Sequence, residues 1–224
     1  MLPRFLLPSL ILIVSFGANA SNDSQLWLNA GLRYRVAKPM TLELDQQLRL
    51  DRNIARIKSI LSDLSGTWRL KKWVRLGLGY RFEREKNKRD ESELTQRIHI
   101  QSRLKYDLGP ATLSYRLRLQ QKYEPDGDQS EKTQTVRHRF ALSVDRGGWI
   151  QPSFSGETFQ RLGVDATQAW RKLRLTLGAD LRGPKRHRFK VFYRAQMPLA
   201  DPDDPLEHIA GLGYQFRLRR KKDN

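Results

Sequence analysis

From Leu26 to Leu218 the chain alternates apolar and polar residues in successive runs, each closed by a turn signal. A period of two marks a β-strand whose two faces differ in chemistry. In "LWLNAGLRYRV" (26–36), Leu26, Leu28, Ala30, Leu32, Tyr34 and Val36 share one face, opposite Trp27, Asn29, Arg33 and Arg35. "TLELDQQLRL" (41–50) opposes Leu42, Leu44, Leu48 and Leu50 to Glu43, Asp45, Gln47 and Arg49. A less regular run over 57–70 keeps Ile60, Leu64, Trp68 and Leu70 in phase, and "WVRLGLGYRF" (73–82) follows it. Further strands are predicted over 97–106, 111–122, 135–144, 149–158, 172–181, 188–197 and 208–218. The run over 111–122 contains "YRLRLQQK"; the one over 149–158 is interrupted by Pro152 and Gly156.

The connections alternate in length. "AKP", "KK", "LGP", "RGG" and "RGPK" are short, whereas 51–56, 85–93, 124–132, 160–166 and 198–207 are longer and polar. Strands of roughly ten residues cross a tilted bilayer, and short turns on one side with long loops on the other suit an outer-membrane barrel. On this reading the apolar face meets lipid and the arginines face the lumen. The expected fold is all-β, a single antiparallel up-and-down transmembrane β-barrel of 10–12 strands. Eleven runs are visible, and an even number is expected for a bacterial single-chain barrel.

Composition supports this picture. Mean hydropathy is −0.67, which does not oppose a barrel, because alternation averages the signal away. There is no cysteine, so an exported chain must be held by a core or by a closed hydrogen-bond ladder. Export is written into the first residues: Arg4, the apolar "FLLPSLILIVSF" (5–16) and the small-x-small "ANA" (18–20) read as a cleaved Sec signal peptide over 1–20. The barrel then occupies 21–224, with a basic tail at about 219–224.

The formal charge is +18, from 42 Lys and Arg against 24 Asp and Glu. Such a charge raises nucleic acid as a partner, but export and the alternate placement of the cations argue against it. The lumen-facing, anion-contacting candidates are Arg33, Arg35, Arg49, Arg75, Arg81, Arg97, Arg103, Arg116, Arg118, Arg137, Arg139, Arg174, Arg188 and Arg194. Their counter-charges are Glu43, Asp45, Asp63, Glu83, Asp145, Glu157 and Asp180. Guanidinium forks hold carboxylates bidentately, which predicts ladders that close the barrel. Arginine left over would favour a small anionic solute. His99 is predicted to face the lumen and His138 lipid, while His187 and His208 sit near strand ends. Because Ser102 has the opposite parity to His99, no dyad forms within that strand. No catalytic residue, metal site or cofactor is expected.

The "WLNAGLRYRV" strand leading into "LELDQQLRL", the central "YRLRLQQ", the "RHRF" strand and the glutamate of "SGETF" resemble a family of Gram-negative outer-membrane β-barrel proteins catalogued as a domain of unknown function. The resemblance implies an outer-membrane barrel and brings no activity or catalytic residues. It also implies contact with outer-membrane lipid, lipopolysaccharide and the barrel-assembly machinery. Such barrels usually end on an aromatic residue that this machinery reads; here Phe216 is followed by "RLRRKKDN". The functional expectation is a structural barrel or narrow anion-preferring channel with an arginine-rich lumen. The alternatives are a lipid- or lipopolysaccharide-modifying enzyme and a soluble periplasmic β-barrel for an acidic ligand.

Overall fold

The structure is a computed structural model that describes residues 22–87, 89–125, 131–165, 169–201 and 204–219. The segment read as a signal peptide and the tail beyond 219 lie outside the described residues. Eleven strands follow one another: β1 (Asn22–Arg35), β2 (Met40–Asp51), β3 (Arg56–Arg69), β4 (Val74–Lys86), β5 (Ser92–Leu108), β6 (Ala111–Glu124), β7 (Glu131–Val144), β8 (Ile150–Arg161), β9 (Trp170–Arg182), β10 (His187–Pro198) and β11 (Leu206–Arg219).

Each strand pairs antiparallel with the next, and β1 pairs with β11 to close the barrel. That last pair is parallel, in register from Asn22 with Leu206 to Arg35 with Arg219. The eleven strands match the eleven runs visible in the chain and fall within the expected 10–12; the even number expected of a bacterial single-chain barrel does not hold, and the seam departs from the otherwise antiparallel wall. In an up-and-down barrel with an odd number of strands, the first and last run in the same direction and can only close in parallel. Closure still satisfies both edges, which an open sheet would leave unpaired. It also puts the start of β1 and the end of β11 at opposite mouths.

The strands outrun the apolar alternation. β4 continues to Lys86, β5 begins at Ser92 and β7 at Glu131, so polar residues assigned to loops join the ladder instead. The predicted contrast in loop length shrinks as a result. Connections of two to five residues lie at one mouth (36–39, 70–73, 109–110, 145–149, 183–186), called here the short-turn mouth. Connections of four to eight residues lie at the other, the loop mouth (52–55, 87–91, 125–130, 162–169, 199–205). Backbone pairing does not need an apolar side chain, and hence it extends past the apolar band.

Burial is inverted relative to a water-soluble domain. Among the described residues the buried hydrophobic side chains are Trp27, Leu61, Phe159, Ala169 and Ile209, fewer than the buried polar and charged ones. The outer wall carries Leu64, Leu78, Ile98, Ile100, Phe140, Phe154, Leu177 and Leu212, each more than half exposed. A contiguous apolar belt of this kind calls for a partner solvent other than water. Several polar groups on this face are paired with each other, as apolar surroundings favour. Ser62 donates to Gln46 at 2.8 Å, Tyr80 to Gln96 at 2.9 Å, and the Tyr115 hydroxyl lies 2.8 Å from His138 Nδ1. Trp73, Trp149, Tyr106 and Leu70 are exposed beside the turns of the short-turn mouth.

The charged loops at the other mouth are tied together. Asp90 accepts from Arg56 at 2.6 Å and from Arg52 at 3.1 Å, joining the 87–91 loop to the β2–β3 connection. The hydrogen bond from Arg56, ahead of the charge on Arg52, holds the Asp90 carboxyl below the usual carboxylate range. A depressed folded-state pKa contributes stability above the unfolded value, and that contribution is lost as pH falls through the folded value. The Asp90 side-chain carbonyl followed by NMR should therefore titrate below the ordinary aspartate midpoint; a midpoint at the ordinary value would refute the tie.

Candidate functional site

The inward faces of the strands enclose a cavity of about 1080 Å³. It is bordered near the loop mouth by Lys58, Lys122 and Glu207, and near the short-turn mouth by Arg75, Arg188 and Arg217. Arg33, Arg49, Arg75, Arg81, Arg97, Arg103, Arg116, Arg118, Arg137, Arg139, Arg174, Arg188 and Arg194 line it, as do Glu43, Asp45, Asp63, Glu157 and Asp180. Twenty-one basic side chains and seven carboxylates border the cavity among the described residues.

Three candidates do not border the cavity: Glu83 is buried behind its surface, and two others fall elsewhere. Arg35 has the inward parity but is the last residue of β1, and it is exposed at the rim instead of bordering the cavity. Asp145 lies in the turn after β7, because that strand ends at Val144. There it accepts from the Gly147 N–H at 2.9 Å and pairs with Arg182. The Gly147 N–H, more than Arg182, holds its carboxyl below the usual range.

Carboxylates organise the arginines around two centres. Glu83, fully buried behind the cavity surface, accepts from Arg49 at 2.9 Å and Ser59 at 3.0 Å, and pairs with Arg97 at 3.2 Å. Glu157 receives Arg116 at 2.7 Å, Arg137 at 2.9 Å and Arg174 at 3.6 Å. Thus strands β6, β7 and β9 converge on one side chain of β8. Smaller pairs join β1 to β2 through Arg33–Glu43, and β3 to β4 through Asp63, which accepts from Arg81 at 2.9 Å. A buried carboxylate is tolerated only with such compensation.

Aromatic rings extend this network. Arg49 lies 4.2 Å and Arg194 4.8 Å from the Trp27 ring centre, and Arg137 and Arg174 lie 4.4 and 4.7 Å from that of Phe159. These are cation–π distances, so the rings hold guanidiniums in place without neutralising them. Phe192 also points inward, where its ring lies across Gly211; a side chain at 211 would overlap it. Gly79 makes room in the same way for the imidazole of His99.

His99 faces inward and is buried, and its Nε2 has no hydrogen-bond partner. Its cross-strand neighbours are Gly79 and Gln120, with Ser65 beyond Gly79 on β3 and no hydrogen bond between Ser65 and His99. Among the described residues no group of three or more His, Cys, Asp or Glu side chains is placed to hold a metal.

Several lining residues were not among the sequence candidates. Lys58 was hidden by a bulge between Arg49 and Leu50 on the β2–β3 ladder, which leaves Lys58 without a partner. The extra residue reverses the phase, so Ile57 is exposed while Lys58 turns inward to Glu207 at 3.2 Å. A second bulge skips Arg171 on β9. Lys172, Lys190 and Arg217 carry the same parity as Arg174, Arg188 and Gln215, so alternation alone was enough to find them.

The chain resembles, at 12% identity and a TM-score of 0.41, the crystal structure of the β domain of the Bordetella autotransporter BrkA. The match covers 78% of this chain and 82% of that one. No curated protein matches. A family model described as a protein of unknown function, DUF2490, matches residues 24–205.

Proposed function

Because the chain belongs to DUF2490, a family of unknown function, we propose a role from the lumen itself: a narrow anion-preferring channel in the outer membrane of a Gram-negative bacterium, reached through a cleaved signal peptide. The observation that carries this is a cavity bordered by residues near both mouths, in which cations outnumber carboxylates three to one. Uncompensated cations in a confined low-dielectric passage attract anions and exclude cations. The apolar belt supports the membrane location, and outer-membrane lipid and lipopolysaccharide are then its surroundings. The barrel-assembly machinery would insert it, and no nucleic acid partner, cofactor or metal is involved.

We propose no catalysis. The Nε2 of His99, the inward histidine, has no hydrogen-bond partner, whereas an activated nucleophile would need a hydroxyl or thiol bonded to its base.

Purified barrel in planar bilayers under a salt gradient is expected to give a current whose reversal potential has the sign of anion selectivity. Absence of current, or cation selectivity, would sink the channel reading. Partition of the mature protein into the membrane fraction, with gel mobility that changes on heating, tests the location. A protein that stays soluble without detergent would overturn it.

A further inference from the structure

The lumenal cations are not evenly compensated. Across the hydrogen-bonded wall, Arg75 of β4 stands opposite Arg103 of β5, Arg103 opposite Arg116 of β6, and Arg116 opposite Arg139 of β7. Four guanidiniums therefore occupy one continuous row over four neighbouring strands. Residues directly opposite on one face are about 5 Å apart at Cβ, and like charges there destabilise the pair.

Elsewhere several facing pairs are of opposite sign. Arg33 faces Glu43, Asp63 faces Arg81, and Glu157 faces Arg174. Some opposed arginines are taken up by acceptors from neighbouring positions: Arg118 and Arg137 face each other, and Gln101 receives the first and Glu157 the second.

The four-arginine row is provided for only at its β7 end, where Glu157 stands opposite Arg139 and takes Arg116. Arg116 reaches Glu157, yet its Nε is buried with no hydrogen-bond partner. Arg139 has only the Ser155 hydroxyl, at 3.1 Å. Arg75 and Arg103 form no salt bridge or side-chain hydrogen bond with any described residue, although both border the cavity.

We propose that this row is a binding site for a phosphate-type oxyanion, held principally between Arg75 and Arg103 with Arg139 beside it. The proposal rests on the anion-channel reading and names the class of solute. Repulsion within the row costs stability that the fold gains nothing from, and a polyvalent anion relieves it. A guanidinium presents parallel N–H donors that match two oxygens of one tetrahedral anion. A spherical halide uses that geometry poorly. Two facing forks therefore distinguish phosphate from chloride by shape as well as by charge.

The test is calorimetric titration of inorganic phosphate into detergent-solubilised, folded barrel. Chloride serves as the competing halide, and a short-chain phosphatidic acid forms a second arm. Phosphate is expected to bind, with chloride displacing it weakly. Heat from phosphatidic acid alone would identify the same chemistry on a lipid headgroup instead of a free solute.

Arg75→Gln with Arg103→Gln should weaken phosphate binding by about tenfold or more, the loss expected for charge-assisted hydrogen bonds. It strands no carboxylate, so heat-modifiable mobility should be retained. Arg35→Gln, at the exposed rim, should leave binding unchanged. Phosphate binding no tighter than chloride, or undiminished in the double variant, overturns the site.

The two readings fail separately. Phosphate binding without any current removes the channel and keeps the site. An anion-selective current from a barrel that does not bind phosphate removes the site and keeps the channel.

Discussion

Glu157→Gln is expected to lower the unfolding free energy of the barrel by about 3–5 kcal/mol, the cost of breaking a buried ion pair from one side. Glu157 is 5% exposed and receives three guanidiniums from three strands. Glutamine keeps the volume and one carbonyl acceptor but removes the charge. Arg116, Arg137 and Arg174 would then repel one another in a confined space where water compensates poorly. The readout is the urea midpoint of the refolded barrel in detergent, with gel mobility as a second probe. A midpoint within experimental scatter of the parent would mean that water already solvates these arginines and that Glu157 does not organise them. Removing Glu43, whose partner Arg33 is about one-third exposed, should cost much less, because partly solvated pairs contribute little.

Leu177→Arg is expected to cost about 2–4 kcal/mol of folding free energy in a bilayer, the penalty for arginine on the lipid face near the midplane. Leu177 lies in the middle of β9 with 62% of its surface exposed, between Phe154 and Tyr193 on the flanking strands. The effect separates the membrane reading from the soluble one with opposite signs. In water, an exposed leucine replaced by arginine is close to neutral and aids solubility. In lipid, the guanidinium must deform the bilayer or drag water in with it. Folding yield into preformed vesicles across a urea series measures the difference. A variant that folds as well as the parent would refute a lipid-facing wall.

The pattern of Tyr115, Leu117 and Leu119 against Arg116 and Arg118 illustrates how much of the lumen was legible from alternation. Once one face is taken as outward, every second residue of a strand is assigned, and this placed thirteen arginines at the cavity. Alternation misleads where a strand departs from it. At Lys58 a bulge reverses the phase mid-strand, and no residue type announces it. At Arg35 and Asp145 the parity was right, but the strand or the lumen ended first. Parity says which side of a wall a residue is on and nothing about how far along the wall the cavity reaches.

Partnership was the least legible property. Glu83 and Glu157 look equivalent to Glu43 in the chain, each one acidic residue on an inward face. Their different environments arise because strand tilt and stagger bring Arg97 and Arg49 onto one, and Arg116, Arg137 and Arg174 onto the other. The row Arg75–Arg103–Arg116–Arg139 was likewise invisible, because its members are separated by long stretches of sequence and meet only through the pairing of four strands.

By itself, then, the amino-acid sequence determined the number of strands to within one, their approximate bounds, the inside-out polarity of the wall and the basic character of its interior. Each of these follows from local alternation, which a strand imposes residue by residue. The tertiary structure alone decided the parallel closure of β1 on β11, the two bulges, and the division of the arginines into compensated and uncompensated sets. Those depend on register, a relation between strands that no single strand encodes.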